Sequence, residues 1–343
     1  MAQINKPNTH FNPVLYTGTG ATNSVTSLDF QPDLIWSKSR TDVGGYGHFW
    51  QDSIRGVNKR LMSNSTAGEN TLTNTLDSFD SNGFTMGADS TTEMNKSGSS
   101  YVAWNWKAGG TAVSNTAGSI TSSVSANTTA GFSIVKYTGN ATTSQSVGHG
   151  LGSVPKMIIV KNLADASDWK IYHASLGTSY QMLFNTDAQA LAGTLWGSTT
   201  PTSNLFYINN DGSVNGSGDG MIAYCFAEKK AFSKFSTFTG NGSTDGVFCY
   251  TGMKPSFILI KANASGYNWV IYDTARNTYN AIGKGLFPDN SNAEYDYGNV
   301  IDCVSNGFKF RSTVTNETGI TYIYMAFAEN PLVGSNGVPA TAR

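Results

Sequence analysis

Apolar positions fall in short runs rich in Ile, Val, Phe, Tyr and Trp, separated by clusters of Gly, Asn, Ser and Thr. Such runs read as strands: branched and aromatic side chains fit a pleated surface, and the separating residues supply turns and local side-chain-to-backbone bonds. In "YVAWNWKA" the strand period of two puts Tyr101, Ala103 and Asn105 on one face and Val102, Trp104 and Trp106 on the other, as in a strand between a core and a second surface. "FILI", Phe257 to Ile260, is apolar on both faces and predicts a central strand covered twice. Only "SIRGVNKRLM" (53–62) and "TARNTYNAI" (274–282) offer short helices, and both also read as turns. The pattern predicts an all-β chain of two-layer, jelly-roll-like sandwiches with few short helices.

The runs recur in order. "PDLIWSK" from Pro32, "PKMIIVK" from Pro155 and "PSFILIK" from Pro255 each place an apolar run between a proline and a lysine: Lys38, Lys161 and Lys261. Upstream stand the turns "YTG" (16–18), "YTG" (137–139) and "FTG" (238–240). Downstream, "HFWQDSIRG", "WKIYHASLG" and "WVIYDTARN" align Asp52, His173 and Asp273. "SNGFTM", "SNLFYI" and "SNGFKF" follow, and aromatic strands near Trp106, Phe226 and Phe327 close the copies. Self-similarity of this kind predicts three tandem sandwich units, over 1–110, 111–230 and 231–330, with a C-terminal tail at 331–343. The small-residue run between Trp106 and Phe132 begins as a linker whose middle, "SITSSVSA", can add a strand to the second unit. "AEKKAFSKF" holds no flexible spacer, so the second and third units are expected to pack rigidly.

Composition narrows the function. Only 13% of the 343 residues are charged, and 22 basic residues face 23 acidic ones, leaving no basic field for a phosphate backbone. Nucleic acid is therefore not an expected partner. No stretch approaches a membrane span, so membrane insertion is not expected, and "MAQINKPNTHFNP" lacks the apolar core of a signal peptide, which predicts a soluble product. Cys225, Cys249 and Cys303 lie in strand-like runs and read as buried free thiols. His10, His48, His149 and His173 show no metal spacing, so no metal or cofactor is expected.

"HFNPVLYTGTG", "YVAWNWKAGGTAVSN", "GSITSSVSANTTAGFSIVKYTGN", "VGHGLGSVPKMIIVKN" and "VFCYTGMKPSFILIK" together resemble a repeat domain common in tail-fibre-like and other structural proteins of tailed bacteriophages, especially marine ones. The resemblance runs from His10 to about Arg343. It implies a bacteriophage virion structural protein, exposed on the particle, most naturally a tail-fibre or tail-appendage component in host attachment. The alternative is a capsid decoration or head/tail piece. The implied partners are other virion proteins, further copies of the chain in a trimer, and a host surface glycan or protein. It brings no catalytic or binding residues.

The residues themselves assign no catalytic site. Asp52 with Arg55 and Asp273 with Arg276 suit turn-stabilising ion pairs, the second unit having His173 and Leu176 in those slots. Lys38, Lys161 and Lys261 are expected to end their strands in solvent. "GTGATN" (18–23) and "GNGSTDG" (240–246) lack the ending of a phosphate loop. Glu228 and Glu329, in different units, are poorly placed for one glycosidase centre, and release of polysaccharide fragments is not expected. Tyr46, Tyr267, Tyr295 and Tyr297, in Gly- or Asn-rich loops, are the binding candidates, and "SRTDVGGYG", "NLADASD" and "ANASGYN" are where the copies differ most.

Overall fold

The computed structural model describes residues 4–42, 46–88 and 93–329, and two short strands, Leu332–Val333 paired with Pro339–Ala340; the rest of the expected tail lies outside the described residues. Nearly all regular structure is antiparallel strand. In the first unit Phe11–Thr17, Ser100–Trp106, Leu34–Ser39, Phe49–Asp52, Lys59–Met62 and Asn70–Thr71 lie side by side. A small sheet of Asn23–Val25, Gly83–Met86 and Leu76–Asp80 faces them across a core that includes Val14, Phe30, Ile35, Leu76, Phe84 and Ala103. The second unit repeats the order with Phe132–Thr138, Gly220–Ala227, Pro155–Asn162, Lys170–His173, Tyr180–Leu183 and Leu191–Ala192, facing the pair Gln145–Gly148 and Leu205–Ile208. The third has Ser233–Thr239, Thr321–Ala328, Pro255–Ala262 and Val270–Asp273, facing Phe248–Tyr250, Gly307–Phe310, Tyr295–Val304 and Ile282–Gly285. In every unit the last strand pairs with both the first and the proline-to-lysine strand, so "FILI" is central and buried on both faces.

Of the two readings open at 53–62 and 274–282, helix or turn, the structure has the turn. Neither 53–62 nor 274–282 is helical: each is a turn followed by a strand, Lys59–Met62 or Ile282–Gly285. Asp52 and Asp273 accept the backbone N–H of Arg55 and Arg276, each at 2.9 Å, which fixes the turn, and strand pairing then outweighs weak helical propensity. Among the described residues the α-helix is a single turn, Gly212–Asn215, capped by Asp211. The linker's "SITSSVSA" does form a strand, Ser122–Asn127, which pairs with Phe132–Thr138 and carries Val113–Asn115 outside it.

Each large sheet buries its second face against the other two units. Residues of one parity enter the unit's own sandwich (Ile35; Ile158 and Val160; Ile258 and Ile260). Those of the other parity (Leu34 and Trp36; Met157 and Ile159; Phe257 and Leu259) join one shared core with Trp50, Trp104, Trp169, Phe184 and Trp269. Trp106, Phe226 and Phe327 occupy the same register position in their units, opposite Leu34, Met157 and Phe257. Their rings contact one another pairwise, with centroids 6.3, 6.1 and 5.7 Å apart, so the units surround a pseudo-threefold axis. All three pairs are edge-on, a geometry aromatic quadrupoles favour.

Equivalent contacts run head to tail around this axis and close the ring. From first to second unit, Trp169 Nε1 donates to the Met62 carbonyl at 2.9 Å and Glu69 N to Leu163 O at 2.8 Å. From second to third, Trp269 Nε1 donates to Leu183 O at 2.8 Å and Ala190 N to Asn263 Oδ1 at 2.9 Å. From third to first, Glu294 N donates to Arg40 O at 2.9 Å, and its carboxylate grips the Arg40 guanidinium through two bonds of 2.9 Å. His48, in the tryptophan's slot, points Nε2 toward the Phe287 carbonyl without completing a well-formed bond.

The same contacts explain why one unit lacks the Asp–Arg pair. Asp52 accepts from Tyr224 Oη of the second unit at 2.8 Å, and Asp273 from Trp104 Nε1 of the first at 3.0 Å. Opposite His173 the equivalent residue is Met325, which offers no N–H or O–H. A buried carboxylate there would lack its cross-unit donor. Burial instead holds His173 low, at about 4 and so neutral, and its Nε2–H bonds the Tyr324 carbonyl at 3.4 Å. We expect Asp52→Ala to destabilise the chain by about 3–5 kcal/mol, because it leaves the fully buried Arg55 charge only the longer contact to Glu69 at 3.5 Å. Tyr224→Phe should cost only about 1–2 kcal/mol, since Arg55 still pairs Asp52. Denaturation midpoints measure both, and equal losses would contradict this division of roles.

Candidate functional site

One end of every sandwich is built on the same small device. The glycine of the aromatic-Thr-Gly turn abuts backbone: a Cβ at Gly18, Gly139 or Gly240 would sit 2.1–2.2 Å from the carbonyl of Lys96, Gly216 or Glu317. Just before each of those residues a buried asparagine, Asn95, Asn215 or Asn316, accepts from the backbone N–H after the glycine, at 2.9, 2.8 and 3.2 Å. The frame is constant, while the residue after each asparagine changes from Lys96 to Gly216 to Glu317. Across from it, two residues before His48, Trp169 or Trp269, the variable loop presents Tyr46, Ser167 or Tyr267. Tyr46 meets Lys96, whose Nζ is 5.5 Å from the ring and bonds Asp42 at 2.6 Å. Tyr267 donates to Glu317 Oε2 at 2.5 Å. The second unit has neither ring nor charge at these positions.

In the third unit this end opens into a cavity of about 210 Å³ between the sheets, walled by Tyr267, Tyr272, Phe287, Tyr297 and Tyr322, with Thr315 and Glu317 at one side. Tyr322 Oη accepts the Glu317 N–H at 3.1 Å and keeps its own proton to donate. Tyr272 is fully buried, and its hydroxyl completes no well-formed hydrogen bond, although Thr315 lies near; the Thr315 hydroxyl already donates to Val314 O at 2.7 Å. Burial raises the Tyr272 and Tyr322 phenols, the latter to about 12, and the bond to Glu317 raises Tyr267. All are neutral hydroxyls at physiological pH. Tyr295 packs edge-on to Tyr297 at 4.5 Å, extending the aromatic surface. Exposed large aromatics concentrate in this unit: Phe248, Tyr250, Tyr279, Tyr295 and Tyr297, against Tyr180 alone elsewhere among the described residues.

Of the sequence candidates, the structure gathers Tyr267 and Tyr297 into the cavity, with Tyr295 beside it, and leaves Tyr46 on the first unit. Asp52–Arg55 and Asp273–Arg276 are buried ion pairs, as expected, and Glu228 and Glu329 pair with Lys234 and Lys254. The three cysteines are buried free thiols. The lysines are corrected: Lys38, Lys161 and Lys261 are fully buried. They share strand parity with the shared-core residues; Lys38 and Lys261 each reach a carbonyl of a neighbouring unit, and Lys161 reaches carbonyls of its own. Their Nζ atoms donate to carbonyls: Ser39 and Ser291 for Lys38, Asn162 and Asp165 for Lys161, Ala262, Ala264 and Asp187 for Lys261. Sequence reasoning missed Tyr272, Phe287, Tyr322 and Glu317. The first three look like core residues, but "NKSG", "NGSG" and "NETG" were a readable signal for the fourth.

Residues 6–331 match the family described as Domain of unknown function (DUF7483), and the chain belongs to that family. No curated protein and no solved structure matches.

Desolvation holds all three buried lysines down to about 8. They are still charged at neutral pH, and the cost of burying that charge is removed as pH rises from about 8 toward the ordinary value near 10.5, because only the unfolded chain then binds the proton. The cysteine thiols and buried tyrosines, raised by burial, act oppositely above their ordinary values. We therefore expect wild type to gain stability between pH 8 and 10 relative to Lys261→Met, in denaturation midpoints compared at each pH. A constant difference would show that the lysine keeps its ordinary affinity for the proton.

Proposed function

We propose that this chain is a non-enzymatic structural component of a tailed-bacteriophage virion, a tail-fibre or tail-appendage piece that takes part in host attachment. The first two units serve mainly as frame, and the third carries the recognition surface. The observation that supports this most is that exposed aromatic side chains concentrate on one unit of three, two of them, Tyr295 and Tyr297, at its open, tyrosine-walled cavity. Aromatic surface left in water marks contact sites, because burying it on a partner is where the largest gain lies. Glu317 is the sole carboxylate among the described lining residues, whereas glycoside hydrolysis ordinarily uses two about 5–10 Å apart, which favours binding over cleavage. A homotrimer of such chains, joined to other virion proteins, would present three copies of the cavity and turn weak contacts into avidity.

Purified, labelled and artificially multimerised protein should adsorb to host cells and slow phage attachment. The double variant Tyr295→Ala/Tyr297→Ala should lose at least about tenfold in adsorption with unchanged melting. Absence of adsorption, together with a particle map that places the third unit against other virion chains, would favour the capsid-decoration or head/tail reading.

A further inference from the structure

We infer that the cavity of the third unit is a saccharide subsite that takes one pyranose ring of a host surface glycan. This rests on the third unit being the recognition unit. A volume of about 210 Å³ holds roughly seven waters at about 30 Å³ each. It lies below the roughly 300 Å³ at which ordinary small-molecule pockets begin, which suits one ring at a time.

Its walls match the two kinds of surface that a pyranose presents. The C–H faces of the sugar are apolar and pack on Tyr297 and Phe287, whose rings stand edge-on to one another 6.3 Å apart. The rim of hydroxyls needs both donors and acceptors. Glu317 spends Oε2 on Tyr267 and leaves Oε1 as an acceptor. Tyr322 holds the Glu317 backbone and has its own O–H to give. Asn268 stands exposed at the mouth with an amide that does both.

A cage of aromatic rings with a carboxylate also suits a quaternary ammonium group. The Tyr322 hydroxyl decides against it: a trimethylammonium head accepts no hydrogen bond, so it would leave that donor unanswered. The other units sharpen the assignment. At the position of Glu317 the first unit has Lys96, already paired with Asp42, and the second has Gly216, so the acceptor facing a tyrosine belongs to the third unit alone.

The test is titration of the purified full chain, by saturation-transfer NMR and calorimetry, with the methyl pyranosides of glucose, galactose and mannose, N-acetylglucosamine, and tetramethylammonium. At least one pyranoside should bind, and Tyr297→Ala and Glu317→Gln should each weaken it by about tenfold while melting as wild type does. Tyr267→Phe, which keeps the ring and frees the carboxylate, should weaken it less. The inference is overturned if no pyranoside binds, if these variants bind like wild type, or if tetramethylammonium competes. Cell adsorption that depends on Tyr297 without any pyranoside binding removes the saccharide and leaves the attachment role. Pyranoside binding without cell adsorption does the reverse.

Discussion

Trp106, Phe226 and Phe327 meet on one axis, and the architecture follows from that contact. Each ring closes the last strand of its unit, and for the three to touch, each unit must turn the second face of its large sheet inward. A sheet that packs on both faces has no side left for water. This accounts for the apolar character of both parities in "FILI" and for the number of tryptophans buried away from any single sandwich. Each large side chain buried this way contributes about 1.5–3 kcal/mol, against a net stability of about 5–15 kcal/mol for a typical domain. A unit deprived of its neighbours therefore loses more than it can spare.

Placing two sheets face to face across a unit boundary also decides where polar groups can go. The register that brings Trp104 and Tyr224 to the boundary aims a donor at Asp273 and at Asp52, and each carboxylate is then free to hold an arginine in its own turn. Where Met325 replaces the donor, the carboxylate and its arginine are both absent, and a neutral histidine bonds a backbone carbonyl. The lysines obey the same geometry: two residues beyond Trp36, Ile159 and Leu259 on the same face, they end among carbonyls at the unit boundaries. Uncharged loops remain for the outer ends, and there the copies diverge. A rigid frame with one differentiated end is suited to presenting a binding surface.

The all-β character, the strands and the central place of the proline-to-lysine strand were legible in the sequence, because repetition and a period of two are local signals. What covered the second face was not. "FILI" declared two covered faces, but a run of apolar residues does not say whether the outer partner is a second sheet or another unit, and Lys38, Lys161 and Lys261 were misplaced for that reason. The Asp–Arg pair was correctly read as structural, yet its loss in the second unit became intelligible only once Met325 was seen opposite His173. For the site, Tyr267 and Tyr297 were visible as aromatics in polar stretches, although Tyr297 lies in the strand Tyr295–Val304 rather than in a loop. Tyr272 and Tyr322 lie in strands where nothing local separates a cavity wall from a core.

The central claim is that the three units share one core and fold together. Expressing residues 111–230 alone tests it most directly, because that piece holds a complete sandwich while exposing Phe132, Met157, Ile159, Ile171, Tyr224 and Phe226. The isolated unit should be unfolded or aggregate, and the full chain should lose tryptophan burial and strand content in a single coincident transition. A monomeric, cooperatively folding isolated unit, or a full chain that melts in three separate steps, would contradict it.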